Sequence, residues 1–294
     1  LIEAWSEAEG AGKQISADGE VLQDSVDVEL MPRDRGERIL IARRLIASRC
    51  LYGVDINPMA VELAKLSLWL ITMQKNRPFG FLDHALKCGD SLLGISSAKQ
   101  IENFSLRPGE RQVTFATLNL FRYIDEATVK RRSLEELPSN DYAQIEKKNQ
   151  LHAETEASTA KVKAVADCLI ALELRGLDGN AYENQRTEEA EKVQLLMKCD
   201  TSEALTPSRL SAYSSKQLHD RHPFHWSIEF PEVFAQGGFD AIIGNPPFQG
   251  GLHLRGILGS DYHHYLQTFH ENTHGNADLC AYLFLRAFAL LRLS

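Results

Sequence analysis

The arrangement of apolar and polar positions along the first part of the chain predicts short strands and helices in succession. Glu37–Ser48 has helical composition, with apolar residues among arginines, and Cys50–Ile56 follows as a short apolar strand. Asn57 and Pro58 suit the N-cap and the first residue of the next helix. That helix carries an apolar stripe at helical spacing, made of Met59, Leu63, Leu66, Leu70 and Met73. Because a second strand follows at Ala85–Cys88, the strand–helix–strand order predicts a parallel sheet.

A further predicted strand lies near the other end of the chain and stops abruptly. The run Ala241–Ile243 is followed by Gly244, Asn245 and two prolines. Proline fixes its own φ and restricts the residue before it, so we expect a stiff loop at the carboxyl end of a buried strand. Open α/β sheets bind their ligands at such ends. A loop that carries an amide, Asn245, and an aromatic ring, Phe248, suits a flat base that bears an amine.

Between these parts the pattern changes to charged helices. Residues 126–200 are rich in Glu, Lys, Ala and Gln, and they predict two helices joined by a turn at Gly176–Asn180. Their apolar positions are only partly regular, which argues against a long coiled coil. We expect a helical hairpin inserted into an α/β domain, and charged helices of this kind are most often solvated. The predicted parts are a polar loop or insertion (1–36), a first core segment (37–97), a mainly helical insertion (98–221) and a second core segment (222–294). Within that second segment, Asp261 predicts the cap of a helix over Tyr262–Thr273, and Asp278 the cap of one over Leu279–Leu293.

Composition and charge narrow the class of protein. A chain of 294 residues with 44% hydrophobic content can bury a sizeable core in one or two domains. The formal net charge of −8 argues against unaided, non-specific DNA binding, which depends on Lys and Arg contacts to phosphates. Five scattered cysteines without a C-x-x-C pair indicate reduced thiols in a cytoplasmic protein. No signal peptide is visible, and the longest apolar stretch, Leu279–Leu293, is too short to span a bilayer.

Two acidic residues at strand ends are candidates for binding a nucleoside. Asp55 ends the first strand, where a carboxylate can accept both ribose hydroxyls, and Ile56 beside it could pack on the base. Asp90 and Ser91 follow the second strand, and the Asp90 carboxylate could accept from an adenine amino group. Aspartate is also common in turns and beside Asn-Pro, where it often serves only as a cap.

Taken together, several segments resemble the adenine-N6 DNA methyltransferases. The resemblance is to the restriction–modification type in which nuclease, methyltransferase and target recognition share one polypeptide. It covers roughly residues 37–97 and 222–294, and it leaves the middle of the chain unexplained. The matching segments, in chain order, are Gly53–Pro58, Ala60–Leu70, Gly89–Leu92, Glu229–Phe234, Gly238–Phe248, Asp278–Leu279 and Tyr282–Phe284.

The resemblance implies a Rossmann-like methyltransferase core that uses S-adenosylmethionine; we expect no metal site. The core would be partial, because the chain lacks the glycine-rich first motif and the strand before it; we expect the chain to be a fragment of a longer protein. The implied cofactor-binding residues are Asp55, Ile56, Asp90 and Ser91. The implied catalytic residues are Asn245, Pro246, Pro247 and Phe248. Asn245 and the Pro246 carbonyl would accept the two N–H bonds of an adenine amine, and Phe248 would stack on the base after it is flipped out of double-stranded DNA.

The same sequence features are also compatible with other functions. Asn-Pro-Pro-aromatic loops also serve the methylation of ribosomal RNA guanine and of a protein glutamine, and a non-catalytic DNA-binding subunit could descend from such an enzyme. His270-Glu271-Asn272-Thr273-His274 matches the H-E-x-x-H pattern of zinc hydrolases. However, Gly275 follows at once and no third ligand is evident, so we do not expect catalytic zinc.

Overall fold

The computed structural model describes residues 1–22, 29–73, 81–106, 120–137, 139, 141–199, 209–219, 221–248, 251–269 and 277–292. In these residues the protein is a mixed α/β structure with two small sheets. The strands are β1 (Gln14–Ile15), β2 (Val21–Leu22), β3 (Gly53–Asp55) and β4 (Leu86–Cys88). The helices are α1 (Ile2–Gly10), α2 (Arg35–Arg49), α3 (Pro58–Thr72), α4 (Ala98–Glu102), α5 (Leu120–Glu136), α6 (Tyr142–Glu173), α7 (Gly179–Cys199), α8 (Arg209–Leu218), α9 (Trp226–Glu229), α10 (Pro231–Phe234), α11 (Gly251–Leu258), α12 (Ser260–Phe269) and α13 (Leu279–Leu290).

The chain forms two compact units. The first unit consists of Leu1–Cys88 and Arg132–Ala153, and the second consists of Gly89–Arg131 and Glu154–Ser294. None of the helices in the described ranges is both long enough and apolar enough to cross a membrane.

The beginning of the first unit is more ordered than its polar composition predicts. Instead of a loop or insertion throughout residues 1–36, helix α1 is followed by the antiparallel pair β1–β2. Trp5 is buried, and its indole N–H donates to the Gly19 carbonyl at 3.1 Å. Trp5 and Ile15 pack with Ile41 of α2 in one small core. A few large apolar residues therefore organise a segment whose average composition is that of a loop.

The strand–helix–strand unit of the first half is confirmed. Strands β3 and β4 pair in parallel, with Asp55 opposite Cys88, and helix α3 connects them. The Asn57 side chain accepts from the Met59 amide at 3.0 Å, so Asn57 is the N-cap and Pro58 the first helical residue.

Helix α3 packs on the sheet with a different face from the one that the apolar spacing indicates. Val61 is buried with Leu82 and Leu86, and Leu68 and Trp69 pack against them. The predicted stripe, by contrast, is exposed: Met59, Leu63, Leu66, Leu70 and Met73. Helix α3 thus has two apolar faces, and spacing alone could not tell which one covers the sheet.

The second unit has its core around the second half of α6. Val162, Val165, Leu169 and Leu172 are completely buried, in one cluster with Leu93. The predicted hairpin is present as α6 and α7, joined by a turn near residue 176. The expectation that these helices are solvated is wrong for residues 162–172. The charged residues of this stretch, Lys163 and Asp167, are half-buried, and the apolar residues between and after them face the core.

The predicted strand Ala241–Ile243 is also corrected. It is neither assigned as a strand nor buried, and the Ile243 side chain is 99% exposed. A strand is buried when neighbours cover its edges and faces. In the described residues Ala241–Ile243 pairs with no strand, and the nearest pairing is the parallel bridge between Phe239 and Leu291. Downstream, Asp278 caps α13 as predicted, whereas α12 begins at Ser260 and places Asp261 in its first turn.

Candidate active site

The loop that contains Asn245 starts from a fixed point in the second unit. The Phe239 amide donates to the Leu290 carbonyl, and the Arg292 amide donates to the Phe239 carbonyl, each at 3.0 Å. Gly238, just before, has φ of 124°, and a Cβ there would lie 2.5 Å from the Leu290 oxygen. Only glycine fits this approach, so the backbone is held tightly where the loop begins.

The tip of the same loop is open. Asn245 and Pro247 are exposed, Pro246 is half-buried, and the Phe248 ring is 79% exposed. The two prolines restrict the backbone of the tip without any need for buried contacts. The tip therefore exposes an amide side chain and an aromatic ring within four residues of each other.

Aromatic rings support the base of the loop. Phe239 contacts Trp226 edge to face, with 5.8 Å between ring centroids, and lies 6.2 Å from Phe230 and 6.0 Å from Phe234. Such arrangements stabilise beyond simple burial by about 0.5–1.5 kcal/mol per pair. The residues that resemble the family's lead-in, Glu229–Phe234, thus act as a platform, folded as the short helices α9 and α10.

The segment that begins at Asp90 runs beside the residues that lead into this platform. The Asp90 amide donates to the His222 carbonyl at 2.8 Å, and the Phe224 amide donates to the Leu93 carbonyl at 2.7 Å. Gly94 makes the approach possible, since a Cβ there would lie 2.2 Å from the Phe224 oxygen. The two segments are held backbone to backbone, as in a parallel sheet.

Trp226 contacts both the acidic turn, which is the turn at Asp90 and Ser91, and the start of the loop that contains Asn245. Its indole N–H donates to the Ser91 carbonyl at 2.9 Å, while its ring packs on Phe239. One side chain therefore contacts a predicted cofactor-binding residue and the residue from which the predicted catalytic loop starts.

The Asp90 carboxylate closes a turn and binds a buried tyrosine. Oδ1 accepts from the amides of Leu92 at 3.0 Å and Leu93 at 3.2 Å. The Tyr262 hydroxyl donates to the same carboxylate, 2.8 Å from Oδ2 and 3.0 Å from Oδ1. Burial, together with the negative charge of Asp90, raises the pKa of Tyr262 well above its ordinary value, which keeps this hydroxyl a donor.

Asp55 and Ile56 lie in the first unit, at the end of β3, and both are exposed. Asp55 Oδ1 accepts from the Asn57 amide at 2.8 Å, which is the local turn contact expected of an aspartate before Asn-Pro. Its second oxygen can still accept from a ribose hydroxyl, and Ile56 is 67% exposed and can pack on a base. The residues present therefore fit the nucleoside half of S-adenosylmethionine.

Sequence reasoning missed Trp226 as a link and Tyr262 altogether. Trp226 lies three residues before the segment that resembles the family's lead-in, so its position was a usable signal. Tyr262 is 172 residues from Asp90 in sequence, and no local pattern relates the two. The H-E-x-x-H pattern at 270–274 lies outside the described residues. Within the ranges that are described, no three His, Cys, Asp or Glu side chains form a group that could hold a metal.

The sequence of the chain is similar to those of restriction–modification methylases. The Eco57I restriction-modification methylase family matches residues 49–294, and the chain belongs to this family. A protein of Methanocaldococcus jannaschii named "Putative type II restriction enzyme and methyltransferase RM.MjaORFECS2P" is 30% identical over 231 residues. The match covers 67% of this chain and 18% of that protein, so the chain spans under a fifth of its relative's length. No solved structure matches the chain significantly.

Proposed function

We propose that the chain carries the catalytic loop of a site-specific DNA methyltransferase that transfers a methyl group from S-adenosylmethionine to N6 of adenine. The protein would act in the cytoplasm as part of a restriction–modification or related defence system. The observation that carries the proposal is the loop itself: it is fixed at Phe239 and exposed at Asn245–Phe248. Membership in a restriction–modification methylase family supports the same activity.

The proposed roles of Asn245 and Pro246 follow from the chemistry of the methyl acceptor, the exocyclic amine of adenine. The exocyclic nitrogen of adenine is a poor nucleophile, because its lone pair is delocalised into the ring. The Asn245 side-chain oxygen and the Pro246 carbonyl would accept hydrogen bonds from its two N–H groups. These contacts favour a pyramidal nitrogen and stabilise the positive charge that develops there. Such preorganised polar contacts are most effective in the transition state. When bound, S-adenosylmethionine supplies a methyl group made electrophilic by the sulfonium.

In the first unit, Asp55 and Ile56 are the proposed contacts to the ribose and the base of the cofactor; in the second unit, Asp90 and Ser91 are the proposed contacts to an adenine edge. The parallel unit β3–α3–β4 supports a Rossmann-like core, since such cores bind nucleosides at the carboxyl ends of their strands.

Double-stranded DNA with a flipped adenine is the proposed substrate. The formal charge of −8 means that affinity for phosphates must come from a local basic groove or from other domains. The relative's name mentions a restriction enzyme, so nuclease and target-recognition domains are proposed partners in the natively expressed protein.

The test is methyl transfer from isotope-labelled S-adenosylmethionine to duplex DNA by the natively expressed protein. Digestion to nucleosides and mass spectrometry should find label in N6-methyladenine. Ribosomal RNA and glutamine-bearing protein serve as competing acceptors. Label in N2-methylguanine or in methylglutamine would replace DNA adenine as the substrate, and no label in any of them would refute the activity.

Phe248 provides a second test of the proposal. Because the ring is exposed, Phe248→Ala should leave the fold intact and weaken capture of the flipped base by about 1–3 kcal/mol of stacking. The affinity for DNA with a mismatched target adenine should therefore fall by about five- to a hundredfold. Phe284→Ala removes another exposed ring, on α13, and serves as the matched control. Equal losses in both variants would remove Phe248 from the site.

A further inference from the structure

The hydrogen bond between Tyr262 and Asp90 places a buried donor on a predicted cofactor-binding carboxylate. Tyr262 is 6% exposed and lies in the first turns of α12, while Asp90 is half-buried. The Tyr262 hydroxyl lies within 3.0 Å of both oxygens of the Asp90 carboxylate. No motif and no resemblance pointed to this residue.

The acceptor positions of Asp90 are nearly filled. A carboxylate has about four lone-pair positions. The amides of Leu92 and Leu93 occupy Oδ1, and the Tyr262 hydroxyl occupies the space between Oδ1 and Oδ2. These three donors fix the plane of the carboxylate and leave one acceptor position, on Oδ2. A ligand that meets this oxygen must bring a donor, because a second acceptor there would be repelled.

Tyr262 is itself held in place. The Arg221 guanidinium lies over its ring, 5.5 Å from the centroid, and the same guanidinium is paired with Asp261 at 2.6 Å. The ring is also tilted against Tyr265, with 6.2 Å between centroids. Moving the hydroxyl away from Asp90 would disturb both contacts, so Tyr262 is a fixed part of the site.

We propose that Tyr262 is a positioning residue that makes the cofactor site selective for a purine with a 6-amino group. It acts through Asp90: by orienting the carboxylate, it directs the one remaining acceptor position to the adenine amine. This inference rests on the proposed function, because it takes the nucleoside of S-adenosylmethionine as the ligand of Asp90.

The experiment compares two ligands in the natively expressed protein. The first is S-adenosylhomocysteine, and the second is its 6-deamino analogue, in which hydrogen replaces the amino group. In the wild type, loss of one hydrogen bond to a carboxylate should weaken binding by about ten- to a hundredfold. Tyr262→Phe keeps the ring and removes the hydroxyl. It should reduce this preference by about fivefold or more, chiefly through weaker binding of the amino form.

Tyr265→Phe is the matched control. Tyr265 is a completely buried tyrosine one turn further along α12, and its hydroxyl contacts Gly94 instead of Asp90. Loss of the Tyr265 hydroxyl should destabilise the protein, while the preference for S-adenosylhomocysteine over its 6-deamino analogue is kept. General damage to the site weakens both ligands equally and leaves their ratio unchanged, so the ratio isolates the positioning role. If Tyr262→Phe does not fold, Arg221→Met loosens the tyrosine and keeps its hydroxyl, and a smaller loss of preference is expected.

The outcomes separate this inference from the proposed function. A wild-type protein that binds neither ligand, or binds both equally, refutes the cofactor site and this inference with it. A wild-type preference that is retained in Tyr262→Phe, or retained in Arg221→Met when only that variant folds, overturns the role of Tyr262 alone. An equal loss of preference in Tyr265→Phe would also overturn it.

Discussion

Trp226→Phe should lower methylation more than its effect on stability explains. The substitution keeps an aromatic ring near Phe239 and removes the indole N–H that donates to the Ser91 carbonyl at 2.9 Å. A net hydrogen bond contributes about 0.5–1.5 kcal/mol, and part of the aromatic contact, about 0.5–1.5 kcal/mol per pair, is lost with the smaller ring. Ser91 is half-buried, so water can partly replace the donor. We therefore expect a loss of about 1–2 kcal/mol.

The chain offers a control with the same chemistry. In the first unit, Trp5 also donates its indole N–H to a backbone carbonyl, that of Gly19, at 3.1 Å. Trp5→Phe should cost a similar free energy of unfolding, measured by urea denaturation. Only Trp226→Phe should lower kcat/KM for DNA methylation, by about five- to thirtyfold if the lost energy is expressed at the site. Equal activity of the two variants, at equal stability, would show that Trp226 does not couple the acidic turn to the catalytic loop.

Two further predictions concern the first unit. Asp55→Ala should weaken the binding of S-adenosylmethionine, measured by calorimetry, by about ten- to a hundredfold, because about 1.5–3 kcal/mol of ribose contacts is lost. An unchanged affinity in a folded variant would leave Asp55 as a turn residue only. Burial, with Arg49 and Arg44 nearby, lowers the pKa of Lys148 to about 8. Between pH 8 and the ordinary lysine pKa, the unfolded chain therefore binds more protons than the folded one. The free energy of unfolding should rise with pH over that range. Lys148→Met should stabilise the protein below pH 8 by at most about 3 kcal/mol and remove this rise, whereas the same change at the exposed neighbour Lys147 should do neither.

Local chemistry made part of the fold predictable. The cap at Asn57 with Pro58 behind it, the parallel pair around α3, and the cap at Asp278 all depend on neighbouring residues, and the structure contains them. The turn near Gly176 belongs to the same group, since a positive φ at that residue favours glycine. Such features are determined within a few residues and are visible in sequence.

Burial was less predictable, because it depends on partners that are distant in sequence. The apolar stripe of α3 is exposed while Val61 is buried, and the charged helix α6 holds the centre of a core at Val162–Leu172. Ala241–Ile243 has the composition of a buried strand, yet among the described residues it pairs with no strand, and only Phe239, two residues earlier, forms a bridge. Tyr262 shows the same limit at the site, since only the folded chain brings it to Asp90.

The central claim, that the loop at Asn245 performs methyl transfer, is tested most directly by Asn245→Ala in single-turnover methylation of adenine-containing duplexes. The variant removes an exposed side chain, so the fold should be retained, and cofactor and DNA affinities should stay within about threefold of the wild type. Loss of one preorganised polar contact should cost about 2.7–4 kcal/mol in the transition state, which lowers the methylation rate by about a hundred- to a thousandfold. Asn149→Ala, at another exposed asparagine, should methylate at the wild-type rate. A wild-type rate for Asn245→Ala would mean that the loop is only a turn and that the active site lies elsewhere.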